Sequence, residues 1–372
     1  MRALVTGGAG FIGSHVVDLL LERGYEVRIF DSLELPTHAA GLPSYLPREA
    51  EFIQGDMRDR SAVAAALKNV DVVLHQAATG GFTARLAHYI ACNSLGTAQM
   101  LETIRDEKLP VQKIVVASSI AVYGEGKYYC LEHGACYPSL RPMAQLQRGE
   151  WEVNCSRCGA PLSPRLTDED TPVEPGTAYA ISKYDQERLA VMFGRQTGIP
   201  TVALRYFVTY GPRQSVYNPY TGVCSIFATQ ILNNLPVVIY EDGEQTRDFV
   251  FVRDVARANV FVLEEPRADF GLFNVGGGQT TTIRTLANLL GACLGREGRA
   301  EVPGRFRPGE VRHITADAGR LAALGFRATV SLQEGLRRYV EWVAQQGPLG
   351  EQFSAAERQQ QAAGVVRSAG SE

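Results

Sequence analysis

Two groups of residues in this chain have the types and spacing to do chemistry. In the stretch TAYAISK, Tyr179 and Lys183 stand four apart on a predicted helix, which puts both on one face. A phenol, with a reference pKa of about 10, is a poor base near neutrality. A neighbouring ammonium stabilises the phenolate and lowers that value. Such a tyrosine can take a proton from a hydroxyl as hydride leaves the same carbon. The spacing alone also fits an amphipathic surface helix. Ser119, in VVASSIAVYG, adds weight: it falls just after a predicted strand end, where its hydroxyl can bridge a substrate oxygen and Tyr179. Ser118 competes for that role.

The second group is rich in cysteine. CLEHGA at 130–135 is echoed by CSRCGA at 155–160. In each, a Cys is followed three residues later by His or Cys and then by Gly-Ala, so Cys130, His133, Cys155 and Cys158 offer a tetrahedral set for zinc. Cys136 competes with His133, and free thiols or a redox disulfide are the other readings. Four protein ligands leave no open coordination position, so the expected metal is structural. A segment this short has no core of its own, and a metal supplies the missing folding energy. Of the 7 cysteines, Cys92, Cys224 and Cys293 stand alone and read as buried thiols. The odd count argues against a secreted disulfide framework.

The elements that must position these groups begin with ALVTGGAGFIGSH. Gly7, Gly10 and Gly13 lie between a short strand and a helix, the pattern of a loop that lets backbone approach a pyrophosphate at a helix N-terminus. Asp31 ends the next strand, EVRIFD. A carboxylate there binds ribose hydroxyls and repels a 2′-phosphate, which favours NAD over NADP. Asp56, in IQGDMRD, reads either as a contact to the adenine edge or as a helix N-cap.

Strands are expected at Ala3–Thr6, Glu26–Phe30, Glu51–Gln54, Val70–His75 and Lys113–Ser118, with helices at Ser14–Arg23, Ser61–Leu67 and Ala87–Asp106. The alternation predicts an α/β fold, a Rossmann doubly wound parallel sheet. It breaks near Gly126 and resumes near Thr177 with a helix (Ala178–Thr197) and a strand (Thr201–Tyr206). The expected division is 1–205 for a dinucleotide-binding domain, with 126–164 as a zinc-ribbon-like insert. Residues 206–347 then form a smaller mixed α/β substrate region, and 348–372 a polar tail expected to be disordered. The insert leaves the fold just after Ser119 and rejoins before Tyr179, so it is expected beside the active-site mouth, as a lid or a dimer contact. At 372 residues, 45% hydrophobic and 21% charged with a net charge of −3, the composition is that of a globular protein and not of a nucleic-acid or membrane-surface binder. The opening residues lack a secretory leader pattern and no run is long enough to span a bilayer, so a cytoplasmic location is expected.

TGGAGFIGSH, the strand-end Asp31, SSIAVYG, YAISK, RYFVTYGPRQ, RDFVFVRDV and RPGE together resemble the extended short-chain dehydrogenase/reductase family, within it the nucleotide-sugar epimerases and dehydratases. The resemblance spans about 1–345, less the insert. It implies tightly held NAD, a nucleotide-sugar substrate, a homodimer formed through Ala87–Asp106 and Ala178–Thr197, and Ser119, Tyr179 and Lys183 as the catalytic set. It carries cofactor contacts onto Gly7, Gly10, Phe11, Ile12, Gly13, Asp31, Asp56, Met57, Gln76, Ala77, Asn93, Tyr179, Lys183 and Tyr206. It carries substrate contacts onto Ser119, Tyr179, Arg247 and Arg307, the two arginines as clamps on the diphosphate. Dehydratases of the family place an Asp-Glu pair after the catalytic Thr, and the sugar-acid decarboxylases a Glu, where this chain has Ile120 and Ala121. What remains is a 4-epimerase working through a 4-keto sugar. QSVYNPYTGVCSIFATQILNN is similar to the dTDP-L-rhamnose 4-epimerases, while UDP-glucose and UDP-uronate epimerases share most motifs. Val208 replaces the Asn of RYFNVYGP, a usual sugar-nucleotide contact. A nucleotide-sugar reductase or dehydrogenase, and a catalytically idle NAD-binding scaffold, are the alternatives.

Overall fold

The computed structural model describes residues 1–81, 85–218, 222–296, 299–347, 349–350 and 353–370. Runs such as ALVT and KIVVAS have no polar face, as strands covered by helices on both sides require. They form β1 (Arg2–Thr6), β2 (Glu26–Asp31), β3 (Glu51–Gln54), β4 (Val72–His75), β5 (Lys113–Ser119), β6 (Thr201–Tyr206) and β7 (Leu272–Val275). The sheet order is β7-β6-β5-β4-β1-β2-β3, and every pairing is parallel. The winding reverses between β1 and β4, which opens a crevice at the carboxyl ends of the strands.

Helices cover both faces. α1 (Phe11–Glu22) starts at Gly10 with no side-chain cap, so its first N–H groups meet no capping side chain. α2 (Arg60–Leu67) is capped by Asp59, which accepts from the Ser61 and Ala62 amides. Of the two readings of Asp56, the cap is not used: the residue pairs with Arg58 at 2.5 Å and lines the cleft. The expected helix 87–106 is present as Leu86–Tyr89, a π-helical segment Ile90–Leu95 and α3 (Gly96–Asp106). α4 (Ala178–Thr197) is capped by Thr177 and ends at Gly198, whose φ of 77° few other residues adopt. One core packs Val16, Leu20, Val255 and Val262 on the sheet; the other packs Val63, Leu67, Met100 and Phe193 on its reverse.

The expected division at 205/206 is not a clean cut. β7 rejoins the first sheet from beyond it, and α5 (Val252–Glu264) packs on α1. The rest of 206–347 builds a second sheet from Val208–Tyr210, Thr246–Phe251, Thr280–Thr282 and His313–Ile314, over a core of Phe227, Ile239, Leu286 and Leu336. The insert is a small antiparallel sheet in which Tyr128–Cys130 pairs with Gly134–Cys136 and Ser163–Pro164. The tail departs from expectation: α6 (Phe353–Ala362) and a strand Arg367–Ser368 occupy it, the strand pairing with Arg305–Phe306. A lone polar segment does not fold; this one folds because Phe353 and Val366 are buried against Tyr240.

The end of β5 is tied to α4 and β6 by charge. Glu187 accepts from Ser118 Oγ at 2.7 Å and from Arg205 at 2.9 and 2.7 Å, and all three residues are buried. Glu187→Ala would strand the Arg205 guanidinium, a loss of about 3–5 kcal/mol. Urea unfolding should show the midpoint falling accordingly, and a midpoint within error of the parent would contradict it.

Candidate active site

Gly7 turns the chain after β1 at φ +67°, and a Cβ there would lie 2.8 Å from the Ala77 backbone. A Cβ on Gly13 would lie 2.1 Å from the Gly7 carbonyl, so Gly13 seats α1 on the turn. The cleft that results has a volume of about 620 Å³ and lies across the sheet's switch point, with Gly7, Gly10, Phe11 and Ile12 in its wall. Asp31, Asp56, Met57, Gln76, Ala77, Tyr179, Lys183 and Tyr206 also line it. Asp31 accepts from the Ala9 amide at 3.0 Å and the Leu33 amide at 2.9 Å. Tyr206 and Gln76 share hydrogen bonds at 2.9 Å with each other and with Asn259.

Asn93 and Gly13 are expected cofactor contacts that do not line the cleft. Asn93 is fully buried; it accepts from the Thr79 amide at 2.8 Å and donates to Thr79 O and Ser182 Oγ. It fastens the loop after β4 to α4.

The reactive group assembles where β5 meets α4. Ser119 stands within reach of the Tyr179 hydroxyl but is not among the residues of the cleft wall, whereas Ser118 is in that wall and donates its hydroxyl to Glu187 at 2.7 Å. Burial pushes the Tyr179 hydroxyl above its ordinary value, against the hydrogen bond from Ser119. The expectation that Lys183 lowers it is not met in this arrangement, because the amine donates instead to Gln186 Oε1 at 2.6 Å. Lys183 is itself brought down to about 7 by burial, with Glu187 opposing. Gln186 Nε2 donates to Thr97 at 2.9 Å and to His75 Nε2 at 3.0 Å. His75 Nε2 also lies 2.8 Å from Thr97 Oγ1, and on its other side Nδ1 faces Thr6 Oγ1 at 2.7 Å. Burial holds His75 neutral, at about 3.

Arg247 is not presented to the cleft. Its guanidinium donates to the carbonyls of Thr246, Val311 and Arg312 and reaches Glu310 at 3.3 Å, bracing the loop that carries RPGE. Arg307 stacks over the Tyr240 ring at 4.7 Å, 3.7 Å from Glu310.

The insert supplies none of the described cleft wall. Cys130 Sγ lies 3.5 Å from His133 Nδ1 and 3.7 Å from Cys158 Sγ, and Cys155 Sγ lies 3.6 Å from His133 Nδ1. Gly134 and Gly159, each directly after the second residue of its knuckle, share φ +75°. Cys136 turns instead to the Gly134 carbonyl at 3.4 Å, outside the four.

Sequence reasoning missed the loop 34–38, Gln214, Ser215 and Asn218, and the tail residues Gln359, Gln360, Ala363 and Val365, all in the cleft wall. Gln214, Ser215 and Asn218 lie in the quoted stretches RYFVTYGPRQ and QSVYNPYTGV but were given no site role, while loop 34–38 and the tail sit in no motif and reach the cleft only through tertiary contacts.

The match to the NAD dependent epimerase/dehydratase family covers residues 3–143 and 155–276, breaking within the insert. The chain belongs to that family. It is 34% identical over 352 residues to the dTDP-L-rhamnose 4-epimerase of Burkholderia thailandensis, covering 93% of this chain and 95% of the relative. Among solved structures, the UDP-glucose 4-epimerase of Thermotoga maritima with UDP-glucose superposes at a TM-score of 0.74 and 32% identity, over 93% of this chain and 99% of that one. The UDP-glucuronic acid 4-epimerase of Bacillus cereus with UDP-glucuronic acid and NAD superposes at 0.76 and 27%, over 93% and 100%.

The buried amine has a measurable consequence. Lys183 releases its proton near 7 when folded and near 10.5 when unfolded, so the unfolded chain holds the extra proton between those values and this residue's contribution makes stability rise with pH across that window. In cofactor-free protein, the stability difference between the parent and Lys183→Met should shift towards the parent from pH 7 to 10. Urea melts at a series of pH values measure it; a flat difference would contradict the burial.

Proposed function

We propose that this chain is an NAD-dependent nucleotide-sugar 4-epimerase that keeps its cofactor tightly bound and works through a 4-keto sugar. The observation that carries this is Tyr179 in the cleft wall with Lys183 one turn on and Ser119 within reach, where Ser119 is followed by Ile120 and Ala121 instead of a second acid and base. The residues fit NAD. Gly7 and Gly10 line the cleft beside the uncapped start of α1, where a pyrophosphate would meet free N–H groups, Asp31 stands where ribose hydroxyls would bind, and Tyr206 and Gln76 line the same cleft. Bound NAD supplies a hydride acceptor that can give the hydride back.

Tyr179 takes the proton of the C4 hydroxyl and returns it after the ketone has turned over; Ser119 holds that oxygen in line. Burial alone works against the phenolate, so a positive charge must come alongside for Tyr179 to act near neutral pH. Lys183 in its charged form meets that need once an acceptor in the cleft draws it from Gln186. Arg307 holds the diphosphate, and Arg247 braces the loop from behind. The relatives' names support a dTDP- or UDP-hexose or 6-deoxyhexose, with dTDP-L-rhamnose the first to test.

The insert holds a structural zinc. A tetrahedral ion with Zn–S of about 2.3 Å has S···S edges of about 3.8 Å and S···N edges of about 3.6 Å, and the 3.7, 3.5 and 3.6 Å separations match. Leu86, Ile90, Leu95, Ile181 and Met192, exposed on the helices that the family would pair, support a homodimer. Among the described residues no helix is long and apolar enough to cross a membrane.

Incubation with dTDP-L-rhamnose, UDP-glucose and UDP-glucuronate, without added cofactor, should give a 4-epimer of one by NMR, settling at an equilibrium ratio. Turnover only with added NADH or NAD would move the reading to a reductase or dehydrogenase. Tyr179→Phe should lower turnover at least about 100-fold, the scale of one general base, while bound NAD stays stoichiometric. Metal analysis should find one zinc per chain, lost in Cys155→Ser.

A further inference from the structure

The segment after 350 does more than cover a surface. Glu357, 7% exposed, accepts from the Tyr240 hydroxyl at 2.8 Å and pairs with Arg305 at 2.7 Å. Phe353 and Val366 close over Tyr240, with Ile226 and Val238 beside them. The Ala369 amide donates to Gly304 O at 2.9 Å and the Gly370 amide to Gln147 O of the insert at 2.8 Å. Both ends of the segment are therefore fixed to the strand that leads into Arg307.

From that anchor the last turn of α6 runs to the cleft. Gln359, Gln360, Ala363 and Val365 form part of its wall, in the same cavity as the glycine loop, Gln214 and Asn218. A helix that merely docked would turn one apolar face inward and leave the other in water. Here two successive carboxamides, each able to donate and accept without adding charge, meet the cavity that also holds the reactive tyrosine.

We propose that the C-terminal segment 353–370 completes the nucleotide-sugar site, with Gln359 and Gln360 as specificity-determining contacts to the nucleoside diphosphate and Glu357 as the residue that positions them. This rests on the reading that Arg307 takes the diphosphate. The segment bridges Arg307 to the cleft, so a ligand that lies along both must pass beneath it. Loss of either amide should weaken the nucleotide and leave NAD, assigned to the glycine loop and Asp31, untouched.

Isothermal titration of the full-length chain with UDP, dTDP and uridine tests this. Gln359→Ala, at an exposed position, should weaken the preferred diphosphate about 10-fold, the equivalent of one hydrogen bond made away from water. NAD content should stay stoichiometric and the melting temperature unchanged. Gln360→Glu should weaken UDP or dTDP further than it weakens uridine, because the new carboxylate opposes the phosphates. Glu357→Gln should raise KM for the sugar nucleotide while kcat stays within about twofold, and should speed proteolytic release of the tail. Equal diphosphate affinity in the parent and all three variants would overturn the proposal and leave the epimerase reading standing. Failure of the parent itself to bind either diphosphate would overturn both.

Discussion

The mouth of the cleft depends on one desolvated amine. Lys183 is buried, and an ammonium there without an acceptor would be costly. Gln186 provides the acceptor, then passes the demand on through its own amide to Thr97 and His75, and His75 to Thr6. This column crosses β1, β4, α3 and α4, so satisfying the amine fixes four elements whose ends frame the site. It also makes the charge conditional. With a pKa near 7, Lys183 is only partly charged at neutral pH, and an acceptor placed against Nζ would restore the rest. Tyr179 is pushed the other way, towards the neutral phenol. Both groups therefore wait on what enters the cleft.

What the sequence made legible was local. The glycine loop, Asp31 and Tyr179-x-x-x-Lys183 each depend on one strand–turn–helix or one helical turn, and spacing along the chain is spacing in space. Asn93, Arg247 and Asp56 have partners in the fold that spacing along the chain does not show. Asn93 finds Thr79 and Ser182, Arg247 finds three loop carbonyls, and Asp56 is captured by Arg58, leaving the cap to Asp59. The tail was unreadable for the same reason. Its polar composition says nothing of Tyr240 and Arg305, which give Phe353 and Glu357 somewhere to go.

The insert shows how a segment outside the cleft acts on the site. Arg141 donates to Glu125, Glu241 and the Glu310 carbonyl, and Arg312 to Glu152, Glu241 and Asp242. Trp151 packs against Phe306 at 6.0 Å. Such buried ion pairs add little net stability over an apolar core, but they tolerate few alternative arrangements. Four carboxylates gather around two guanidiniums, and burial pushes Glu125 above its ordinary range. Withdrawing Arg141 would leave the buried Glu125 and Glu241 short of a partner, while Glu152 and Asp242, the more exposed partners of Arg312, could turn to water. Arg141 and Glu152 belong to the insert, Glu241 to the second sheet's region, and Glu310 and Arg312 to the loop that carries Arg307. These three segments must keep one geometry or separate together. Cys130, His133, Cys155 and Cys158 gather in the same insert as Arg141 and Glu152, so their cluster is tied to this network while lying outside the cleft wall.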